Sequence, residues 1–244
     1  MKIAAFTIVR NEDVFLPIWY KHYLKHFDEH DIYIIDNGSD NEINYKNVER
    51  IESDYCFDHA WLRKTAYKMM ERLLQNYDYV MCTDADEILI PNTKRYSNIY
   101  DYVNKNKKRI LHSVGYEVIS CAKDMPIDFT GGLLEQRNKW VKLKNFYKPV
   151  LSSVPIKKMY SDYNCAKNGD PDLCLIHLNR IDYKTAYSKY LTEKKYKWSQ
   201  RDMNNTDGWQ HRLTTDDAFD DNFIKIKKAA GKIEIMPDWI RCVI

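Results

Sequence analysis

The chain of 244 residues has no apolar run long enough to cross a membrane. Its first hydrophobic stretch, Ile3 to Val9, is also much too short for a secretory leader. The expectation is a soluble, cytoplasmic protein with at most peripheral contact with a membrane surface. A dominant charge is missing too: 38 Lys and Arg face 35 Asp and Glu, a net +3 that is too mild to imply nucleic acid. The six cysteines (Cys56, Cys82, Cys121, Cys165, Cys174 and Cys242) show no CxxC and no metal-ligand spacing. They read as free thiols in a reducing compartment, with a Cys165–Cys174 pair across a loop as the alternative. There is no internal repeat, low-complexity segment or linker. What is present is 44% hydrophobic and 30% charged residues, the composition of a globular protein, with 19 tyrosines to line pockets.

The most informative stretch is Val80 to Pro91, VMCTDADEILIP. Tyr79 to Cys82 is an apolar run of β type that delivers Asp84, Asp86 and Glu87 and then resumes as Ile88, Leu89 and Ile90. Unpaired buried charge is strongly disfavoured, so something positive should sit opposite. If the backbone stays extended, residues i and i+2 share a side, and Asp84 and Asp86 converge while Ala85 faces away. Two hard oxygen donors suit Mg²⁺ or Mn²⁺ bound together with substrate phosphates. The plainer alternative is that both acids cap the following turn.

Lys2 to Val9 reads as a buried strand, followed by the polar turn Arg10 to Asp13. Asp13 is placed to cap a helix from Val14 to about Phe27. Ile32 to Ile35 is a second strand that stops at the turn Asp36-Asn37-Gly38-Ser39-Asp40, Tyr55 to Phe57 a short third, and Ala60 to Asn76 a helix. Strands alternating with helices argue for a mostly parallel sheet, whose ligands bind beyond the carboxyl ends of the strands. The three polar strand ends should therefore share one edge. Further on, Ile99 to Lys107 reads as a helix, Ile110 to Ser120 and Leu173 to Leu178 as strands, and Gly131-Gly132 opens a variable stretch. Asp182 caps a helix from Tyr183 to about Trp198, Ser199 to Asp217 is a polar loop able to close over a ligand, and Ala218 to Ala230 is the last helix. Lys139, Lys142, Lys144, Lys148, Lys157 and Lys158 read as surface charge, or as a basic face for a diphosphate or an anionic lipid. Trp198, Trp209 and His211 either stack on a sugar or pack in the core.

An opening strand ending in VRNE, a second ending in DNGSD and a later one ending in TDADEIL resemble family 2-type glycosyltransferases with the GT-A fold. DADE followed by an apolar pair and Pro is similar to a bacterial and viral subgroup. The resemblance runs from Lys2 to about Pro91, thins to Gly169 and returns at His177. It implies an α/β fold: a Rossmann-like, mostly parallel sheet flanked by helices, forming one domain. Residues 1–95 would be the nucleotide-binding half, 96–180 the acceptor half and 181–244 a helical extension. It also implies a UDP- or GDP-sugar donor, a glycan, glycoprotein or lipid-linked acceptor, and Mn²⁺ or Mg²⁺. By that pattern the donor site comprises Val9, Arg10, Asn11, Asp36, Arg63, Asp84, Ala85 and Asp86, with Lys64 beside Arg63. Asp86 would be the direct metal ligand, Asp84 would hold the ribose or a metal-bound water, and His177 would be a late metal ligand. Residue by residue the plainer alternatives stay open: Asp36 as a turn cap, Arg63 and Lys64 as a solvated helix face, His177 as a satisfied core histidine. The family's usual Glu-Asp pair is missing after Gly131-Gly132, which leaves Glu135 and Glu117 as candidate bases, with Asp124 and Asp128 behind them. A nucleotidyltransferase should carry a Gly-rich loop where this chain has VRNEDVF, and a phosphohydrolase its acids on the first strand. A non-catalytic sugar- or protein-binding module is the remaining rival.

Overall fold

A computed structural model describes residues 1–121, 123–144, 147–157, 169–205, 208–229, 232–241 and 243–244. Cys165, Cys242 and Lys158 lie outside these; Cys56, Cys82, Cys121 and Cys174 are free thiols. The elements in order are β1 (Ile3–Val9), α1 (Phe15–Tyr23), β2 (Ile32–Asp36), β3 (Val48–Arg50), α2 (His59–Leu73), β4 (Tyr79–Cys82), β5 (Glu87–Pro91), α3 (Ile99–Asn106) and β6 (Ile110–Val118). Then come α4 (Leu133–Gln136), β7 (Lys139–Lys142), β8 (Pro149–Ser152), β9 (Asp170–His177), α5 (Tyr183–Glu193), α6 (Gln200–Asn205), α7 (Asp216–Ala229), β10 (Ile233–Ile235) and α8 (Asp238–Arg241).

β1 has the two-sided character of a central strand. Ile3, Ala5 and Val9 join the core that contains α1, while Ala4 and Phe6 join the core that contains α2. That is the period-two alternation of a strand covered on both faces. The order β4-β1-β2-β3 is parallel throughout, with Val9 level with Asp36 and Phe6 level with Cys82. The expected common edge is therefore present: the first, second and acid-bearing strands all end on one side. Beyond β4 the sheet changes character. β8 joins β4 and β6 antiparallel, β6 joins β7 antiparallel, β7 joins β10 antiparallel, and β9 lies parallel to β6 and antiparallel to β5. The fold is thus mixed α/β: the first half is parallel throughout, and in the second half only the β6–β9 pair is parallel among the described strands. Among the described residues no helix is long and apolar enough to cross a membrane.

Several local expectations need correction. Asp13 does not cap α1: backbone at Val14 is already helical, and Leu16 N–H reaches the carbonyl of Glu12 instead. The third strand is Val48–Arg50; Phe57 makes only an isolated bridge to Trp198. Asp182 caps α5 through Thr185 N–H as expected, but the helix stops at Glu193. The segment 199–217 is not simply a loop, since it carries α6. There Asp202 is fully buried and accepts a 2.7 Å bond from His59 N–H at the start of α2, which ties the segment down.

Candidate functional site

The acid-bearing turn is held from below by α1. Trp19 Nε1 donates to Thr83 Oγ1 at 2.8 Å, and Tyr23 Oη accepts from Leu89 N–H at 2.8 Å. Between these two anchors the chain turns instead of continuing straight. Glu87 N–H donates to the Asp84 carbonyl at 3.0 Å, and Asp84 N–H donates to Glu87 Oε2 at 3.1 Å. This overturns the extended-backbone premise, and with it the convergence of Asp84 and Asp86. Asp84 lies 3.3 Å from Lys148 Nζ, which is also 2.5 Å from Glu87 Oε1. Lys148 is therefore a buried counter-ion and not surface charge. Burial pushes Glu87 up to about 7 despite that lysine. Ala85 is packed in the core and presents no side chain to a ligand.

Asp86 faces a different set of groups. Its Oδ2 lies 3.2 Å from Lys189 Nζ, 3.3 Å from Asn179 Nδ2 and 3.6 Å from His177 Nε2. Burial would raise its pKa, but Lys189 and His177 outweigh burial and hold it below the usual carboxylate range. β5 pairs with β9 so that Glu87 is level with His177, which is what brings the histidine to the acid turn. The other ring nitrogen, Nδ1, is 2.6 Å from Glu117 Oε2. Glu117, fully buried on β6, also accepts Arg180 N–H at 3.0 Å. It orients His177 and is not a free base. Burial opposes charge on His177, but Glu117 and then Asp86 reverse this and lift it to about 9.

A cleft of about 810 Å³ adjoins this cluster through Lys189, which lines it and touches Asp86; Asp86 and His177 do not themselves line it. One wall is the end of β1, from Arg10 to Phe15. The second comprises Ser120, Cys121 and 124–127, with Phe129 and Arg137; the third is the α5 side, including Lys189, Glu193 and Tyr196. Arg10 donates to the Asn37 carbonyl at 2.7 Å and sits over the Tyr196 ring, 5.7 Å from its centroid. Asn11 has positive φ and exchanges bonds with Asp40 while its N–H reaches Ser39 Oγ at 2.9 Å. Val9 does not line the cleft; its carbonyl accepts Asn37 N–H at 2.8 Å and ties β1 to the turn after β2.

Other expected site residues lie elsewhere. Asp36 is buried with one oxygen taken by Ser39 N–H and the other by Arg50, so it serves the turn and does not reach the cleft. Arg63 is half-buried on α2, Lys64 is exposed, and neither lines the cleft. Glu135 is exposed on α4 outside it, and Asp128 caps Thr130. Asp124 does line the cleft, 3.6 Å from Arg137. Trp198 packs on Phe57 with centroids 4.4 Å apart, and His211 Nδ1 is 2.7 Å from Glu193. Trp209 is largely exposed. Sequence reasoning missed Glu12, Lys189, Glu193 and Tyr196, and did not foresee Lys148 as a partner of the acid turn. A signal existed for α5: Thr185, Ser188, Lys189, Thr192, Glu193 and Tyr196 recur at helical spacing and form its cleft-facing stripe.

No family model and no curated protein matches the chain. Among solved structures, the crystal structure of Staphylococcus aureus TarS 1–349 in complex with UDP-GlcNAc is 13% identical, covering 55% of this chain and 38% of that one, with TM-score 0.33. The crystal structure of S. aureus TarS is 10% identical over 92% and 49%, with TM-score 0.39. TarS 1–349 is 8% identical over 95% and 74%, with TM-score 0.33. The chain thus spans less than half the length of the first two. At such scores neither a family nor an activity follows from the likeness.

Among the described residues no group of three His, Cys, Asp or Glu is placed to hold a metal. Asp86 and His177 nevertheless form a two-residue oxygen and nitrogen set. His177 is oriented through Nδ1 by a buried carboxylate, as metal-ligating histidines usually are. The pair fits an ion that takes its remaining ligands from a diphosphate and water. Asp84, committed to Lys148, does not belong to it.

Proposed function

We propose that this protein is a metal-dependent glycosyltransferase that moves a sugar from a UDP- or GDP-sugar donor to a glycan, glycoprotein or lipid-linked acceptor. The observation that carries the reading is the line Glu117–His177–Asp86, which ends behind the cleft at the carboxyl edge of the parallel strands. The VRNE, DNGSD and TDADE motifs at the ends of β1, β2 and β4 support it, as does the ligand-binding habit of such edges. A volume of about 810 Å³ is within the usual range for small-molecule sites.

Asp86 and His177 would hold the cation, Mn²⁺ or Mg²⁺, which when bound neutralises charge on the departing diphosphate. Glu117 holds Nδ1 of the imidazole and so leaves Nε2 toward Asp86, where the ion would be held. Arg10, braced by Asn37 and Tyr196, and Asn11 shape the nucleotide end. Proton removal from the acceptor hydroxyl falls to a carboxylate that lines the cleft, in place of Glu117 and Glu135. The test is a thermal-shift series with UDP and GDP, with and without Mn²⁺. A bound nucleotide raises the melting point by mass action. Asp86→Ala should abolish the Mn²⁺-dependent part of the shift. No shift of the parent protein with either nucleotide overturns the donor reading.

A further inference from the structure

We propose that Lys189 is a resident counter-ion of Asp86: without donor its ammonium occupies the carboxylate oxygen that a divalent cation takes, and Glu12 retains the ammonium when the metal enters. The proposal rests on the Asp86–His177 reading above and adds a residue outside the strand-end motifs.

The argument is one of crowding on a single atom. Lys189 Nζ, Asn179 Nδ2 and His177 Nε2 all approach Asp86 Oδ2, at 3.2, 3.3 and 3.6 Å. Any ion that bridges Oδ2 and Nε2 must expel the lysine from that oxygen, because two cations sharing it at this range repel. Lys189 does not have to leave for solvent. Its Nζ already lies 2.6 Å from Glu12 Oε1, and it sits 5.6 Å from the centroid of the Phe15 ring, a second site of attraction for a cation. Glu12 and Lys189 both line the cleft, so the released ammonium faces the space a donor would occupy. Metal entry would then be an exchange and not a simple addition: the ammonium moves to Glu12 and the proton on His177 Nε2 leaves to solvent. A diphosphate in the cleft offers the displaced lysine a further partner, so metal and diphosphate favour each other, as linkage requires.

Isothermal titration with Mn²⁺ alone, on the parent protein, Lys189→Met and Glu12→Gln, tests this directly. Removing the competitor should tighten Mn²⁺ binding about tenfold in Lys189→Met. Neutralising Glu12 leaves Asp86 as the carboxylate in direct contact with the ammonium, Glu193 attracting it without a hydrogen bond, so Glu12→Gln should bind Mn²⁺ several times more weakly. Repeating the titration with UDP present should narrow the gap between parent and Lys189→Met. An affinity for Mn²⁺ in Lys189→Met equal to or below that of the parent overturns the proposal. If circular dichroism shows Lys189→Met unfolded, Glu12→Gln decides alone, and unchanged or tighter binding there overturns it. Absence of Mn²⁺ binding in every protein, even with UDP, is a different result: it removes the metal from the Proposed function itself.

Discussion

One imidazole joins two carboxylates: His177 has Nδ1 2.6 Å from Glu117 Oε2 and Nε2 3.6 Å from Asp86 Oδ2. The buried partner therefore decides which nitrogen faces the acid turn. Glu117→Gln keeps the shape and one acceptor but removes the charge. Mn²⁺ affinity should fall by about 10- to 100-fold, the usual cost of losing such an orienting partner. Titration calorimetry measures it, and an unchanged constant would show that Glu117 is structural only.

The same arrangement makes the metal-free protein sensitive to alkali. Burial opposes charge on His177, yet Glu117 and Asp86 lift it to about 9. A histidine raised above its unfolded value of about 6.5 adds stability in full below that value and loses it as pH climbs through about 9. His177→Gln should flatten the fall of the urea midpoint over this window. Identical slopes for parent and mutant would contradict the assignment.

Lys148 pairs with both Asp84 and Glu87. Lys148→Met should cost about 3–5 kcal/mol, because it strands a buried carboxylate. Adding Glu87→Gln should recover part of that loss. Urea unfolding of the two variants checks it, and a single mutant as stable as the parent would show the lysine dispensable.

His22 is the opposite case. Only 1% of it is exposed, and among the described residues neither ring nitrogen makes a well-formed hydrogen bond, the backbone of Leu89 and Val243 giving it only weak support. Burial, with His26 and Lys25 nearby, lowers it to about 3. A depressed histidine stays neutral when folded, so stability is lost as pH falls from about 6.5 through 3. His22→Leu should raise the melting temperature at neutral pH and more so at about pH 5. A melting temperature that drops at both values would show that the ring packs better than leucine.

The first half of the chain was legible because its signals are local. The helical run from Ala60, the turn after Asp36 and the aliphatic run of β1 each act within a few residues. The acid turn misled because its geometry is set from afar, by Trp19 on Thr83 and by β9 on β5. Lys148 and Lys189 lie 64 and 103 positions from their aspartates, so no spacing rule could pair them with Asp84 and Asp86. Phe57 looked like strand, but its partner Trp198 comes from the far end of the chain.

β8 sits between β4 and β6, hydrogen-bonded to both. The flank of β4 therefore stays open until residue 149 has been synthesised. A fragment ending near residue 95 would keep all three strand-end motifs yet display a naked row of backbone amides and carbonyls. Such a piece would be prone to stick to its own copies, so dissecting this protein calls for point changes and not truncation.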